Sequence, residues 1–119
     1  MFKSYTTSIG ILECYPNYCI ARVSVPLVTK EGAKELLQCS YKHFGNKRYV
    51  LISDRKDIYK VDSQAYKFVN PRKIVGIALV SENEKVKSDA LEKQKLFDGA
   101  FGFFENMEDA IDWAKTVVK

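Results

Sequence analysis

Ile74-Val75-Gly76-Ile77-Ala78-Leu79-Val80 is the longest apolar run in the chain. It falls far short of the ~20 residues a membrane-spanning helix needs, and it lacks the alternation of a strand with one wet face. Such a run reads as a strand covered on both faces, the habit of parallel sheets flanked by helices. Its neighbours agree. Tyr49 to Ile52 is a second short run of β formers, set between Lys47-Arg48 and Ser53-Asp54, and Ala100 to Phe104 is a third. Helical segments separate them. Asp62 or Ser63 can cap a helix through Val69, which ends before Pro71 because the residue preceding a proline disfavours the α region. Ser88 or Asp89 can cap another through Ala90, Leu91, Gln94 and Phe97, closed by Gly99.

The flanks complete the order. Thr7 to Cys14 reads as a strand, Pro16-Asn17 as a turn, and the alternating Tyr18 to Val25 as the hairpin partner. After Pro26 the period changes: Ala33, Leu36, Leu37, Ser40 and Phe44 share one helix face, and Gly45-Asn46 stops it. Asn106 caps a last helix whose stripe is Met107, Ala110, Ile111, Ala114, Val117 and Val118. The order β-β-α-β-α-β-α-β-α predicts an α/β fold, a mixed β-sheet with an N-terminal hairpin and flanking helices, in one domain over residues 1–119. A strand-rich start leaves a sheet edge near Met1 to Thr7, and pairing of that edge predicts a homodimer.

Composition is that of an ordinary globular protein: 119 residues, 46% apolar and 29% charged, enough to bury a core without a disulfide or metal. Met1 to Ile9 lacks the apolar stretch of a signal peptide, so a cytoplasmic location is expected, with no membrane span. The net charge of +4 is unevenly spread. Lys42 to Lys73 holds nine basic residues against three acids, whereas Asp98 to Lys119 holds five acids against two lysines. Two solvated faces account for this; an anion or nucleic-acid site in the basic half, or head-to-tail attraction between protomers, are the functional readings.

Few catalytic constellations fit. The single histidine, His43, sits near a helix end with no acid partner in sequence, and no Gly-x-Ser-x-Gly elbow is present, which argues against acyl transfer. Cys14, Cys19, Cys39 and His43 match a zinc pattern only loosely, and reduced thiols in a cytosol explain the cysteines without a metal. None of the six glycines lies in a phosphate-binding motif, and Glu13 stands alone where a phospho-acceptor receiver domain carries paired acids. Tyr49, Tyr59, Tyr66 and Phe68 interleave with basic residues but read as core, so no nucleic-acid partner is expected, and no cofactor.

One segment stands apart, from Leu51 through Asp54-Arg55-Lys56 to Asp62-Ser63. A buried strand ends in a polar loop that returns to a helix start, where free backbone N–H groups collect anions and polar side chains. Asp54, Arg55, Lys56, Asp62, Ser63 and Gln64 are therefore the candidate contacts for a protein partner or an anion.

The hairpin start, the strand-loop-Asp62-Ser63-helix segment, the strand Ile74 to Val80 and the closing Phe103-Phe104-Glu105-Asn106-Met107-Glu108-Asp109-Ala110-Ile111-Asp112-Trp113 together resemble the small bacterial SpoIIAA-like domains of the STAS/SEC14 grouping, over nearly the whole chain. The resemblance implies a mixed sheet flanked by helices. It also implies a non-enzymatic module that works through protein contacts, as the anti-sigma-factor antagonists do when switched by phosphorylation at an Asp-Ser-Ser-Gly helix start. Here the matching residues are Asp62-Ser63-Gln64-Ala65: glutamine replaces the phosphorylated serine and alanine the glycine, a departure that tells against the switch. The lipid-transfer side of the grouping implies the alternative, a small-molecule or lipid carrier whose apolar pocket Tyr66, Phe101, Phe103, Phe104 and Trp113 would line.

Overall fold

The computed structural model describes residues 3–55 and 60–118 and sets the apolar run inside a six-stranded sheet. Strands β1 (Lys3–Thr7), β2 (Gly10–Cys14) and β3 (Tyr18–Val23) form an antiparallel meander. Strands β5 (Tyr49–Asp54), β7 (Ile74–Val80) and β8 (Ala100–Phe104) then continue the sheet in parallel, giving the order β1-β2-β3-β5-β7-β8. Two short strands, β4 (Leu27–Val28) and β6 (Lys60–Val61), pair with each other beside it. Among the described residues the fold is thus the expected mixed α/β sheet, with a three-stranded start in place of a hairpin.

Among the described residues, three helices and two 3₁₀ segments cover the sheet. Helix α1 (Lys30–Phe44) is capped by the Thr29 side chain and buries Ala33, Leu36, Leu37, Ser40 and Phe44, the face its spacing predicts. It stops where Gly45 takes a φ of +60°, a conformation that favours glycine. A 3₁₀ helix, Ser63–Phe68, follows β6, and α2 (Glu84–Lys93) follows β7. Helix α1, Ala65 of the 3₁₀ helix and Ala90 of α2 pack on one sheet face with Leu51, Ile77 and Leu79. Helix α3 (Met107–Val117) is the one described helix on the other face, laying Ala110 and Ala114 on Val50, Ile52, Ala78 and Val80. Residues of one strand therefore feed two separate cores, and β7 is apolar throughout because both of its faces are covered.

Several boundaries differ from the sequence reading: β3 ends at Val23, the segment expected as a helix through Val69 is the short 3₁₀ helix Ser63–Phe68, and α2 gives way at Gln94 to a second 3₁₀ turn, Gln94–Leu96. Thr7 to Cys14 is not one strand: Ser8 and Ile9 turn the chain, and Gly10 restarts it against β3. A Cβ at Gly10 would lie 2.1 Å from the Arg22 carbonyl oxygen, so glycine alone permits that approach. Helix α2 begins at Glu84, capped by Asn83, and not at Ser88 or Asp89. Starting earlier lets Val86 and Ala90, four residues apart, share the buried side, and leaves Asp89 inside the helix with its carboxylate facing inward. Val75, by contrast, is half-buried within an otherwise buried strand. No described helix is long and apolar enough to cross a membrane.

Candidate functional site

The polar residues gather at the carboxyl end of the parallel strands. Helix α2 leaves β7 toward one sheet face and α3 leaves β8 toward the other, so the two connections part and open a crevice between them, the usual place for a site in an open α/β sheet. Arg22, Asp54, Ser81, Asn83, Glu105 and Asn106 line it, around a volume of about 530 Å³. Asn83 and Asn106 also cap α2 and α3, accepting from the backbone N–H groups of Lys85 and Asp109. Both helices thus present their positive ends to the crevice.

Arg22 organises its wall. The Nε donates to Glu13 Oε2 at 3.0 Å and the Nη1 to Asp54 Oδ2 at 3.0 Å. The Glu13 bond above all, with the charge of Asp54 behind it, holds the guanidinium above its usual pKa. Asp54 is nearly buried, and its other oxygen, Oδ1, has no hydrogen-bond partner among the described residues.

Behind the crevice lies a buried ion-pair cluster. Arg55, immediately after β5, is fully buried, and its backbone N–H continues the sheet to the Val80 carbonyl at 3.0 Å. Its Nη2 donates to Asp89 Oδ2 at 3.0 Å. Asp89 also accepts from the Val61 N–H at 3.3 Å and from Lys93 Nζ at 2.7 Å. One carboxylate of α2 therefore ties together the end of β5, strand β6 and its own helix. Tyr66 adjoins this cluster; burial pushes its phenol up to about 12, an effect the Arg55 charge opposes.

The 3₁₀ start is pinned on its inner side and open on its outer one. The Asp62 N–H donates to the Val28 carbonyl at 2.8 Å, and the Asp62 carboxylate accepts from the Gln64 N–H at 2.9 Å. Ala65 is buried beneath the turn, while Ser63 and Gln64 are exposed and their side chains make no hydrogen bond among the described residues. Asp62 is the cap; Ser63 is the first helical residue. Beside them Leu27 is exposed in β4, whose partner Lys60 is exposed as well.

Of the predicted contacts, the structure places Asp54 in the crevice wall, Arg55 in the buried cluster, and Asp62, Ser63 and Gln64 on the pinned turn. Lys56 lies outside the described residues. The five aromatic residues do not surround one space. Phe101, Phe103 and Tyr66 pack on the α1 side of the sheet, whereas Phe104 and Trp113 pack on the α3 side with ring centroids 5.5 Å apart. Alternation along β8 requires the split. An apolar cavity of about 80 Å³ does lie under α1, and Tyr66 is the one member of the five that lines it. Arg22, Glu13 and Asp89 were not among the contacts predicted from sequence. Arg22 does fall on the polar side of an alternating strand, but Asp89 meets Arg55 across 34 residues, and nothing local marks that contact.

No family model matches the chain, and neither does any curated protein. Among solved structures it is similar to an uncharacterized protein of the DUF3478 family with a SpoIIAA-like fold, from Shewanella loihica PV-4. The two share 16% sequence identity and superpose with a TM-score of 0.57 over 96% of this chain and 92% of that one. The fold is SpoIIAA-like, and at that identity the likeness concerns the fold alone.

Proposed function

We propose that the chain is a cytoplasmic, non-enzymatic binding module that works by contact with a protein partner, through the turn at Asp62, Ser63 and Gln64 and the exposed Leu27 and Lys60 beside it. The observation that carries this reading is the contrast within the turn. Its backbone is held by Val28 and by the Asp62 carboxylate, and Asp89 fixes the preceding strand, while Ser63 and Gln64 point outward uncommitted. A surface whose backbone is already ordered binds without first losing conformational freedom. The acids and bases near the strand ends support a role without chemistry, because they are engaged with one another: Arg22 with Glu13 and Asp54, and Arg55 and Lys93 with Asp89. His43 is committed elsewhere, 2.8 Å from the Tyr5 hydroxyl. The cavity under α1 is smaller than the ~300–1,000 Å³ of typical ligand pockets, which disfavours the carrier alternative.

Self-association belongs to the same reading, as does an Asp62-Ser63 turn that works without phosphorylation. The test is a photo-crosslinking amino acid at Gln64 in growing cells, followed by mass spectrometry. A single discrete protein adduct that disappears with Leu27→Asp supports the reading. No adduct, or a ladder unaffected by Leu27→Asp, refutes it.

A further inference from the structure

Among the described residues the sheet has two open edges of opposite character. At one, β1 reads Lys-Ser-Tyr-Thr-Thr, a polar strand with the lysine that commonly protects an edge. At the other, β8 reads Ala-Phe-Gly-Phe-Phe, with no charge, no proline and no register irregularity against β7. All five of its residues are partly exposed. Beside it Leu91 is 57% and Leu96 44% exposed, and Leu91, Phe97 and Phe101 share a shallow groove.

Backbone direction fixes which groups of β8 are open. The Phe104 carbonyl accepts from the Ser81 N–H at 3.0 Å, so Phe104 faces β7. A strand residue sends its N–H and C=O to the same side, and successive residues alternate. Gly102 and Ala100 therefore also face β7, and Phe101 and Phe103 present their N–H and C=O groups to the open edge. These two residues stand symmetrically about Gly102.

We infer that the edge of β8 pairs antiparallel with the same edge of a second copy, on a two-fold axis at Gly102. Phe101 then lies opposite Phe103 of its partner, and both such pairs exchange two backbone hydrogen bonds. The facing rings form cross-strand aromatic pairs, and Leu91 and Leu96 flank them. Charge selects the antiparallel arrangement. At the carboxyl end of β8 stand Glu105 and, in the first turn of α3, Glu108 and Asp109; at the amino end Lys95 and, in the last turn of α3, Lys115 outnumber Asp98. Lys95 lies beside Gly99, the position that faces residue 105 across the axis. Antiparallel pairing sets the acidic end of each protomer against the basic end of the other, whereas parallel pairing sets like against like. This inference rests on the self-association proposed above, and it moves that contact from the β1 edge to the β8 edge.

The experiment is sedimentation velocity of the full chain up to about 100 µM, with concentration-dependent amide exchange alongside. A dimer is expected, with the Phe101 and Phe103 amides protected only when it forms. Lys95→Glu and Glu105→Lys, both surface changes, should each weaken dimerisation roughly tenfold, and the double reversal should restore it. Phe103→Pro, which removes an outward N–H and spares the ladder to β7, should yield a monomer. A wild-type monomer at the highest concentration overturns self-association itself. A dimer indifferent to both charge reversals, with Phe101 and Phe103 amides exchanging freely, leaves self-association standing and overturns the β8 edge. Neither result touches the Gln64 crosslink.

Discussion

Asp89→Ala should be among the most damaging single substitutions in the chain. Asp89 neutralises the fully buried Arg55 and holds the Val61 N–H and Lys93 as well. Removing it takes one charged partner from a guanidinium that is buried away from water, and breaking a buried pair from one side costs about 3–5 kcal/mol. Two of the contacts alone come to about 2–4 kcal/mol, a charged hydrogen bond contributing about 1.5–3 and a long backbone bond about 0.5–1. Lys93, whose side chain is largely buried beside the same carboxylate, adds to that sum. A domain of this size has ~5–15 kcal/mol in total, so the loss is a large share. With a urea slope of ~1.5 kcal/mol per molar, the unfolding midpoint should fall by roughly 2–3 M with the slope unchanged. The companion variant is Arg55→Met with Asp89→Leu, which removes both charges and should recover most of that loss. A loss below about 1 kcal/mol for Asp89→Ala, or a double variant no better than the single one, would refute the buried pair as the element joining β5, β6 and α2.

Further outcomes follow from other parts of the fold. Ala78→Asp puts an unpaired charge on the fully buried side of β7 and should leave the chain insoluble or unfolded by circular dichroism; a cooperative unfolding transition would contradict its burial. Ser63→Asp should shift stability by no more than ~0.5 kcal/mol, because the serine is exposed and Asp62 already caps the turn; a larger loss in a urea titration would mean that Ser63 holds the structure. Stability should also decline in alkali. Burial lifts the Cys14 thiol from 9.0 to about 12 and the Tyr66 phenol from 10.0 to about 12. The unfolded chain therefore releases these protons first, and stability falls as pH climbs from about 9 to 12. A flat stability profile across that window would contradict the burial of both groups.

Where the fold was legible, a repeating physical pattern made it so. Helix α1 declared its buried face through Ala33, Leu36, Leu37, Ser40 and Phe44, and β7 declared two covered faces by carrying no polar residue. The turn at Ser8 and Ile9 was not legible because it uses neither proline nor an Asn-Gly pair; what permits it is the close approach of Gly10 to Arg22, a tertiary fact. The start of α2 was misplaced because Asp89 is a good cap in isolation, yet it is needed inside, against Arg55. The candidate site divides the same way. Asp62, Ser63 and Gln64 could be picked out locally as a helix start, but the crevice depends on α2 and α3 leaving toward opposite faces, which no short segment encodes. The proposed aromatic pocket failed for a reason visible in β8 itself, since Phe103 and Phe104 are adjacent and must point to opposite sides of the sheet.

Native mass spectrometry of the protein purified from its own cells separates contact with a protein from carriage of a small molecule. A complex of this chain with a second, different protein should appear, and should be lost with Leu27→Asp while the free variant keeps its folded charge-state distribution. A stoichiometric small molecule retained by the chain, with no protein partner in either the wild type or the variant, would contradict a module that acts through the Asp62-Ser63-Gln64 turn.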